Sequence, residues 1–214
     1  MTNSLRITEI FYSLQGEANT VGIPTVFIRL TGCPLRCVYC DTDYAFTGGK
    51  KMALSDILAE VAQYNCQYIT VTGGEPLAQP ACLELMRQLA DKNYKVSLET
   101  SGALDISNVD ARVVKVMDIK TPSSGEADKN RYPNIDHLQT QDQVKFVIGS
   151  DKDYIWSKAI LKEYNLANRC EILFSPVTGQ QNPTELAEKI LNDRLPVRFQ
   201  IQLHKLLWQD AQGK

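Results

Sequence analysis

The chain of 214 residues lacks several features that define a class of protein. No hydrophobic run approaches the roughly 20 residues that a membrane helix needs. Positive charge is not in excess, since 23 Lys and Arg stand against 25 Asp and Glu, so a nucleic-acid-binding surface has no electrostatic support. A charged-then-apolar leader, internal repeats and low-complexity tracts are also missing. We therefore expect a cytoplasmic protein with one domain over residues 1–214, and neither nucleic acid nor membrane as a partner.

Short runs of β-branched and aromatic residues predict strands that alternate with amphipathic helices. The predicted strands cover residues 25–30, 68–71, 95–98, 113–119, 144–148, 171–174 and 197–203, and the predicted helices cover residues 55–64, 80–92, 153–164 and 184–192. Ser55 is the expected N-cap of the first helix. Residues 122–143 are expected to form a long loop with one short helix. The alternation indicates an α/β fold with a parallel sheet, either a partial barrel, which we favour, or a curled open sheet.

Unusual polar segments follow the predicted strands at the points where the strands end. They cover residues 31–33, 72–76, 99–102, 118–120, 175–176 and 202–205. The carboxyl ends of parallel strands share one rim, and enzymes with such folds build their active sites there. We expect these segments to converge on one mouth, which indicates an enzyme.

Three of the six cysteines, Cys33, Cys37 and Cys40, lie within eight residues. Thiolates are ligands of zinc, copper(I) and iron–sulfur clusters. A four-iron cluster held by three cysteines leaves one iron open to a ligand from outside the protein, which suits chemistry at that iron. A zinc site usually has a second short cysteine spacing, which this sequence lacks, although His137 or His204 could supply a nitrogen. The spacing favours an iron–sulfur cluster.

The C-x3-C-x2-C spacing resembles the motif of the radical S-adenosylmethionine (SAM) superfamily, and the aromatic Tyr39 precedes its last cysteine. Residues 72–76 read Thr-Gly-Gly-Glu-Pro and resemble the segment that this superfamily places against the methionine end of SAM. Glycines let the backbone approach a ligand closely, and Glu75 offers an acceptor for its ammonium group. The resemblance implies a partial (β/α)6-type radical-SAM barrel with its active site at the C-terminal strand ends.

Within that superfamily, the chain resembles the 7-carboxy-7-deazaguanine synthase family over nearly its whole length. The matching segments are residues 14–17 (Leu-Gln-Gly-Glu), 27–34, 40–42 (Cys-Asp-Thr), 99–102 (Glu-Thr-Ser-Gly) and 202–205 (Gln-x-His-Lys). The first and last of these segments are not expected of radical SAM enzymes in general, so they do most to distinguish this family from the rest of the superfamily. The resemblance implies a lyase that converts 6-carboxy-5,6,7,8-tetrahydropterin to 7-carboxy-7-deazaguanine and ammonia by radical ring contraction, in 7-deazapurine and queuosine biosynthesis.

The resemblance also assigns a role to each matching position. By it, Cys33, Cys37 and Cys40 hold a [4Fe–4S] cluster; SAM contacts Tyr39, Cys40, Asp41, Gly73, Gly74, Glu75, Ser101, Asp118, Ile119 and Lys120; the pterin contacts Leu14, Gln15, Gly16, Glu17, Arg29, Thr72 and His204; and Thr42 is a ligand of Mg2+. No side chain is expected to be catalytic itself, because the cofactor supplies the radical. An inward Arg29 would need an anionic partner such as the substrate carboxylate, the alternative being an exposed salt bridge. Family members read Ser-Pro-Lys at residues 118–120, where this chain reads Asp-Ile-Lys.

The resemblance further implies a homodimer and an external one-electron reductant such as flavodoxin or ferredoxin. Two other functions remain open. A glycyl-radical activating enzyme shares the cysteine spacing but acts on a protein, and residues 14–17, Arg29 and residues 202–205 disfavour it. A zinc-stabilised binding module without catalysis would contain zinc and no sulfide.

Overall fold

The computed structural model describes residues 3–209 and 211–214, which form nine strands and five α-helices. The strands are β1 (Ser4–Leu14), β2 (Pro24–Leu30), β3 (Lys50–Ala53), β4 (Tyr68–Gly73), β5 (Lys95–Thr100), β6 (Val114–Asp118), β7 (Gln143–Ile148), β8 (Glu171–Pro176) and β9 (Arg198–Phe199). The helices are α1 (Leu54–Gln63), α2 (Ala81–Asp91), α3 (Asp151–Glu163), α4 (Pro183–Asn192) and α5 (Leu203–Trp208).

All of these strands belong to one sheet, in the order β3-β1-β2-β4-β5-β6-β7-β8-β9. Strands β2 and β4 to β9 run parallel, while β1 runs antiparallel to both β2 and β3. The α/β class and the mostly parallel sheet are confirmed. The sheet does not close, which is consistent with the expected partial barrel. Within the described residues, no helix is long and apolar enough to cross a bilayer.

Alternation along the strands separates a hydrophobic core from an inner face. In β7, Val144, Phe146 and Ile148 are fully buried and belong to the core that the helices cover. Lys145 and Val147 point the other way and line a cavity. Successive strand residues face opposite sides of a sheet, so one strand contributes to both. The parallel strands thus present apolar side chains to the helices and mostly polar ones to the cavity.

The sequence analysis missed β1 and β3. The first half of β1 alternates, with Leu5 and Ile7 buried in the core. The register with β2 then shifts between Ile7 and Glu9, which inserts an irregularity into the ladder. Such a bulge changes which residues face the core, so the period-2 pattern does not extend over the whole strand.

The last predicted strand, residues 197–203, is wrong beyond Phe199. The side chain of Gln200 accepts a hydrogen bond from the backbone N of Ala18 and donates one to its carbonyl, both at 2.7 Å. These bonds draw the chain away from the sheet towards the connection between β1 and β2. His204 therefore lies on the short helix α5 rather than on a strand.

Two further local predictions are corrected. Helix α1 begins at Leu54 with Ala53 as its N-cap, not with Ser55, because the backbone N of Leu54 donates to the carbonyl of Asn3 at 3.0 Å. The segment predicted to hold one short helix contains three 3-10 helices, Pro122–Ser124, Ala127–Lys129 and Tyr132–His137. Its last residue, Gln143, already belongs to β7.

A buried ion pair joins β6 to the segment before β7. Lys115 Nζ lies 2.8 Å from Asp142 Oδ2, and the two side chains are 3% and 0% exposed. Asp142 also accepts hydrogen bonds from the backbone N of Lys115 and of Gln139, each at 2.8 Å. The carboxylate thus fixes two backbone segments as well as one buried cation.

We expect Asp142→Asn to lower the free energy of unfolding by about 3 kcal/mol or more, because it leaves a buried cation without its counterion. Chemical denaturation measures this loss. Lys129→Ala is the control, since Lys129 pairs with Asp128 in full contact with solvent and its removal should leave the midpoint unchanged. An Asp142→Asn midpoint equal to that of the wild type would contradict the prediction.

Candidate active site

A cavity of about 600 Å3 lies on the inner face of the sheet. Its lining includes the predicted site residues Leu14, Gln15, Gly16, Glu17, Arg29, Cys33, Cys37, Tyr39, Cys40, Asp41, Thr42, Thr72, Gly73, Gly74, Ser101, Asp118, Lys120 and His204. Glu75 and Ile119 are not part of the lining. The structure therefore brings most of the predicted residues to one place, from segments far apart in the chain.

The cysteine loop, residues 33–40, follows β2 and is held by the segment after β6. The backbone N of Val38 donates to the carbonyl of Ser124 at 3.0 Å, and the backbone N of Arg36 donates to Glu126 Oε1 at 2.6 Å. These bonds fix the loop at the rim of the cavity.

The cysteine loop fits an iron–sulfur cluster. Its three cysteines are free and partly buried, and all three line the cavity. Burial raises the pKa of Cys33, and it raises the pKa of Cys37 to about 11 although the charge of Lys120 opposes the shift. Cys33 and Cys37 are thus thiols near neutral pH. Because metals bind the thiolate, loading a cluster here would release protons.

The glycine-rich end of β4 touches the start of the cysteine loop. A Cβ atom on Gly73 would lie 2.4 Å from the carbonyl oxygen of Leu30, and one on Gly74 would lie 2.2 Å from that of Gly32. The backbone N of Gly74 donates to Leu30 at 3.1 Å, and that of Glu75 donates to Gly32 at 2.7 Å. Glycine is needed because only a bare backbone permits this approach.

Glu75 lies beneath the cavity rather than in it. The residue is 0% exposed, and its carboxylate accepts hydrogen bonds from Leu77 N at 3.0 Å, Thr100 Oγ1 at 3.0 Å and Ser101 N at 2.7 Å. These contacts orient the end of β5, so the structure gives Glu75 a positioning role. Ile119 is likewise buried, with its side chain in the hydrophobic core. Direct SAM contacts of Glu75 and Ile119 stay predictions.

Four alternating charges, which we name the charge chain, run across the inner face: Glu17, Lys145, Asp118 and Lys120. Lys145 Nζ lies 2.6 Å from Glu17 Oε2 and 3.8 Å from Asp118 Oδ2, and Lys120 Nζ lies 2.8 Å from Asp118 Oδ2. Burial alone would lower the pKa of each lysine, yet the acidic neighbours raise both. Burial would raise the pKa of Glu17, but the charge and hydrogen bond of Lys145 lower it. Both lysines and Glu17 therefore stay charged near neutral pH.

The connection between β1 and β2, residues 15–23, supplies polar groups from the end of the sheet opposite the carboxyl rim. Gln15 Nε2 donates to Thr70 Oγ1 at 3.0 Å and to Glu99 Oε1 at 3.2 Å, while Thr72 Oγ1 donates to Glu99 Oε2 at 2.8 Å. Because β1 is antiparallel to β2, this connection lies at the amino ends of the parallel strands. The cavity thus extends through the inner face instead of stopping at the carboxyl rim.

Gly16 makes room for helix α5. Its carbonyl accepts a hydrogen bond from the backbone N of Leu203 at 3.0 Å. A Cβ atom at position 16 would lie 2.2 Å from His204 Nδ1. A side chain at this position would therefore have to displace the imidazole of His204.

Gln202 bridges the two ends of the cavity. Its Nε2 donates to Glu17 Oε1 at 2.9 Å and to Asp41 Oδ2 at 3.2 Å. His204 Nε2 lies 3.8 Å from the same Asp41 oxygen. Burial would raise the pKa of Asp41, but His204 and the charge of Lys205 hold it well below its usual range. Asp41 therefore stays a carboxylate that ties the cysteine loop to α5.

Arg29 has an anionic partner in the protein itself. Its Nε lies 2.8 Å from Glu9 Oε1, with the side chains 14% and 20% exposed. Tyr44 Oη donates to the same oxygen at 2.7 Å, and the guanidinium lies 5.7 Å from the ring centre of Phe11. Among the described residues, only Nε of this guanidinium has a hydrogen-bond partner. The group thus lines the cavity with its two terminal nitrogens open to an anionic ligand.

Several lining residues were missed by the sequence analysis, among them Phe11, Phe27, Glu99, Lys145 and Gln202. Glu99 and Gln202 lie in segments that were singled out without a role. Lys145 carried a usable signal, because it is a lone cation in an apolar strand, as Arg29 is. The aromatic residues carried none, since an aromatic residue on a strand is equally expected in a core.

Comparison with known proteins agrees with this geometry. Residues 27–118 match the model of the radical SAM superfamily. The chain is 43% identical to a 7-carboxy-7-deazaguanine synthase of Chlorobaculum tepidum, over 98% of this chain and 97% of that one, and 40% identical to one of Koribacter versatilis, over 95% and 97%. The crystal structure of QueE from Escherichia coli has the same fold, with a TM-score of 0.79, 22% identity, and coverage of 94% and 95%.

The curated relatives match from end to end, and the superfamily model spans the cysteine loop, the glycine-rich segment and β6. The three-thiol loop and the polar cavity lie where those matched segments meet. The chain is therefore a member of the 7-carboxy-7-deazaguanine synthase family, within the radical SAM superfamily.

Proposed function

We propose that this chain converts 6-carboxy-5,6,7,8-tetrahydropterin to 7-carboxy-7-deazaguanine and ammonia. A [4Fe–4S] cluster and SAM are its cofactors, as in the rest of the radical SAM superfamily. The observation that carries the proposal is a single cavity that joins three free thiols to an open guanidinium and a fixed carboxylate. A metal-binding module would need the three thiols but neither the guanidinium nor the carboxylate.

The cofactor end of the cavity lies at the carboxyl rim. Cys33, Cys37 and Cys40 would hold the cluster, while the backbone at Gly73 and Gly74 and the side chains of Tyr39, Asp41, Ser101, Asp118 and Lys120 would surround SAM. When bound, the cluster and SAM supply a carbon-centred radical by one-electron reductive cleavage. The exposed backbone and the buried charges of this rim orient the ligand and exclude water from it.

The substrate end lies deeper, towards the connection between β1 and β2. The open nitrogens of Arg29 suit the 6-carboxylate of the pterin, because a guanidinium binds a carboxylate through paired hydrogen bonds. Leu14, Gln15, Gly16, Glu17 and Thr72 line the same space, and His204 closes it from α5. These groups hold the ring in place while the hydrogen is removed.

We also propose a magnesium ion at Thr42. Its Oγ1 lies on the cavity wall, 3.3 Å from Asp41 Oδ1. Mg2+ takes oxygen ligands and retains several waters, so one hydroxyl, the substrate carboxylate and water form an acceptable set. The ion would help Arg29 to fix the carboxylate.

A radical SAM enzyme that acts on a small molecule needs an external reductant, for which we propose flavodoxin or ferredoxin. We further propose that the chain acts as one domain over residues 1–214, assembles as a homodimer and works in the cytoplasm.

The proposed function is tested by an anaerobic assay of reconstituted protein with SAM, Mg2+, dithionite and 6-carboxytetrahydropterin. We expect 7-carboxy-7-deazaguanine by mass spectrometry. Formation of 5′-deoxyadenosine without this product would mean that the substrate is wrong. If a fully loaded protein forms neither compound, the synthase function is rejected.

We expect Cys33→Ala, Cys37→Ala and Cys40→Ala each to lose most of the bound iron and sulfide and to abolish product formation, because each removes one cluster ligand. Iron and sulfide analysis after anaerobic reconstitution measures this. Cys66→Ala is the control, since Cys66 is also a partly buried free thiol but lies outside the cavity. Equal iron content in Cys37→Ala and Cys66→Ala would contradict the assignment.

We expect Arg29→Met to lower kcat/KM for the pterin by about 10- to 100-fold, mainly through KM, because a charge-assisted hydrogen bond to the carboxylate is lost. Steady-state kinetics measures the change. Arg87→Met is the matched control, because Arg87 forms exposed ion pairs on α2 and does not line the cavity. The role of Arg29 would be refuted if both variants keep the KM of the wild type.

A further inference from the structure

Lys145 is a lone cation on the inner face of β7, and no motif of the sequence includes it. Its ammonium lies between the carboxylates of Glu17 and Asp118 and lines the cavity. We propose that Lys145 is a positioning residue for the pterin, which holds Glu17 in place as an acceptor for the adjacent N3–H and 2-amino donors of the ring. This inference rests on the proposed function.

The hydrogen bonds of Glu17 leave room for such a ligand. Its Oε2 accepts from Lys145 Nζ at 2.6 Å, and its Oε1 accepts from Gln202 Nε2 at 2.9 Å. A carboxylate has about four acceptor positions, so each oxygen keeps one for the cavity. Two parallel N–H donors, as on the 2-amino-4-oxo edge of a pterin, match two oxygens of one carboxylate.

The carboxylate must remain charged to act in this way. Glu17 and Lys145 are 14% and 15% exposed, and burial of Glu17 acts to raise its pKa. The charged and titratable groups around the pair are Asp118 on β6, Glu99 on β5, Asp41 after the cysteine loop and His204 on α5. Three of these four are acidic, so without Lys145 the site would favour protonated Glu17. A protonated Glu17 would present a donor to the donor edge of the ring.

Removal of Lys145 affects the two ends of the charge chain unequally. Asp118 keeps Lys120 at 2.8 Å, whereas its distance to Lys145 is 3.8 Å. Among the described residues, the Glu17 carboxylate then keeps one hydrogen bond, from the neutral amide of Gln202, and the weaker influence of His204. The loss should therefore fall on the pterin end and spare the SAM end.

The test is equilibrium binding of 6-carboxypterin, 6-carboxylumazine and SAM to the reconstituted protein. The lumazine carries an oxygen in place of the 2-amino group. We expect the wild type to prefer the pterin by about tenfold or more, and Lys145→Met to lose most of this preference. SAM binding should stay within about threefold, because the charge-assisted bond between Asp118 and Lys120 remains. Pterin binding by Lys145→Met should improve as the pH rises and Glu17 ionises, while that of the wild type stays flat.

Two further variants separate positioning from a general structural effect. Lys145→Arg keeps the charge, so it should restore the flat pH profile and part of the preference. The double variant Glu17→Gln/Lys145→Met should bind the pterin no worse than Glu17→Gln alone, because Lys145 acts through Glu17. This double variant also lacks the unpaired buried carboxylate, so it guards against misfolding of Lys145→Met.

Asp142→Asn is the matched control, because it breaks another buried lysine–carboxylate pair that lies outside the cavity. It should keep the preference of the wild type for the pterin. The inference is overturned if Lys145→Met retains the preference, or if Asp142→Asn loses it equally. A wild type that does not bind 6-carboxypterin at all would overturn the proposed function, and the inference with it.

Discussion

The inner face of the sheet carries several partly buried charges. The site depends on one constraint, which is that each of these charges has a partner of opposite sign. Transfer of an unpaired ion out of water costs several kcal/mol. The charge chain meets this constraint by alternating sign across two strands, β6 and β7, the segment after β6 and the connection between β1 and β2. Arg29 and Glu9 meet it separately between β1 and β2. A ligand therefore meets charges whose positions are already fixed, which lowers the cost of ordering them on binding.

Side-chain hydrogen bonds connect the β1–β2 connection to the far strands of the open sheet. In the part of the chain that the structure describes, no strand pairing joins β9 back to β1. Instead, the amide of Gln200 binds the backbone of Ala18, and the backbone N of Asn19 donates to Gln143 Oε1 at 2.8 Å. Amides suit this task because they donate and accept at once without adding charge. The same connection carries Glu17, so the closure of the fold and the position of a candidate pterin ligand are coupled.

The sequence predicted the parts of the fold in which one local signal dominates. Strands β4 and β7 are rich in β-branched and aromatic residues, and the cysteine spacing needs no tertiary information. The missed parts depend on contacts between distant segments. Helix α5 replaces a predicted strand because Gln200 binds Ala18, a residue 182 positions away. For Glu75, the sequence showed a candidate SAM contact but not the hydrogen bonds that its carboxylate accepts from Thr100 and Ser101 at the end of β5.

Two lysines on neighbouring strands show how a single step along a strand decides a role. Lys115 on β6 shares the core side of the sheet with Met117, where Asp142 is its one ion-pair partner among the described residues. Lys145 on β7 occupies the opposite side, where its partners line a cavity. Both are lone cations in apolar strands, so composition does not distinguish them. The alternation of side chains along a strand does distinguish them, once burial shows which residues of each strand face the core. A charged residue on the same side of a strand as the core residues is expected to be structural, whereas one on the opposite side is expected to face the ligand.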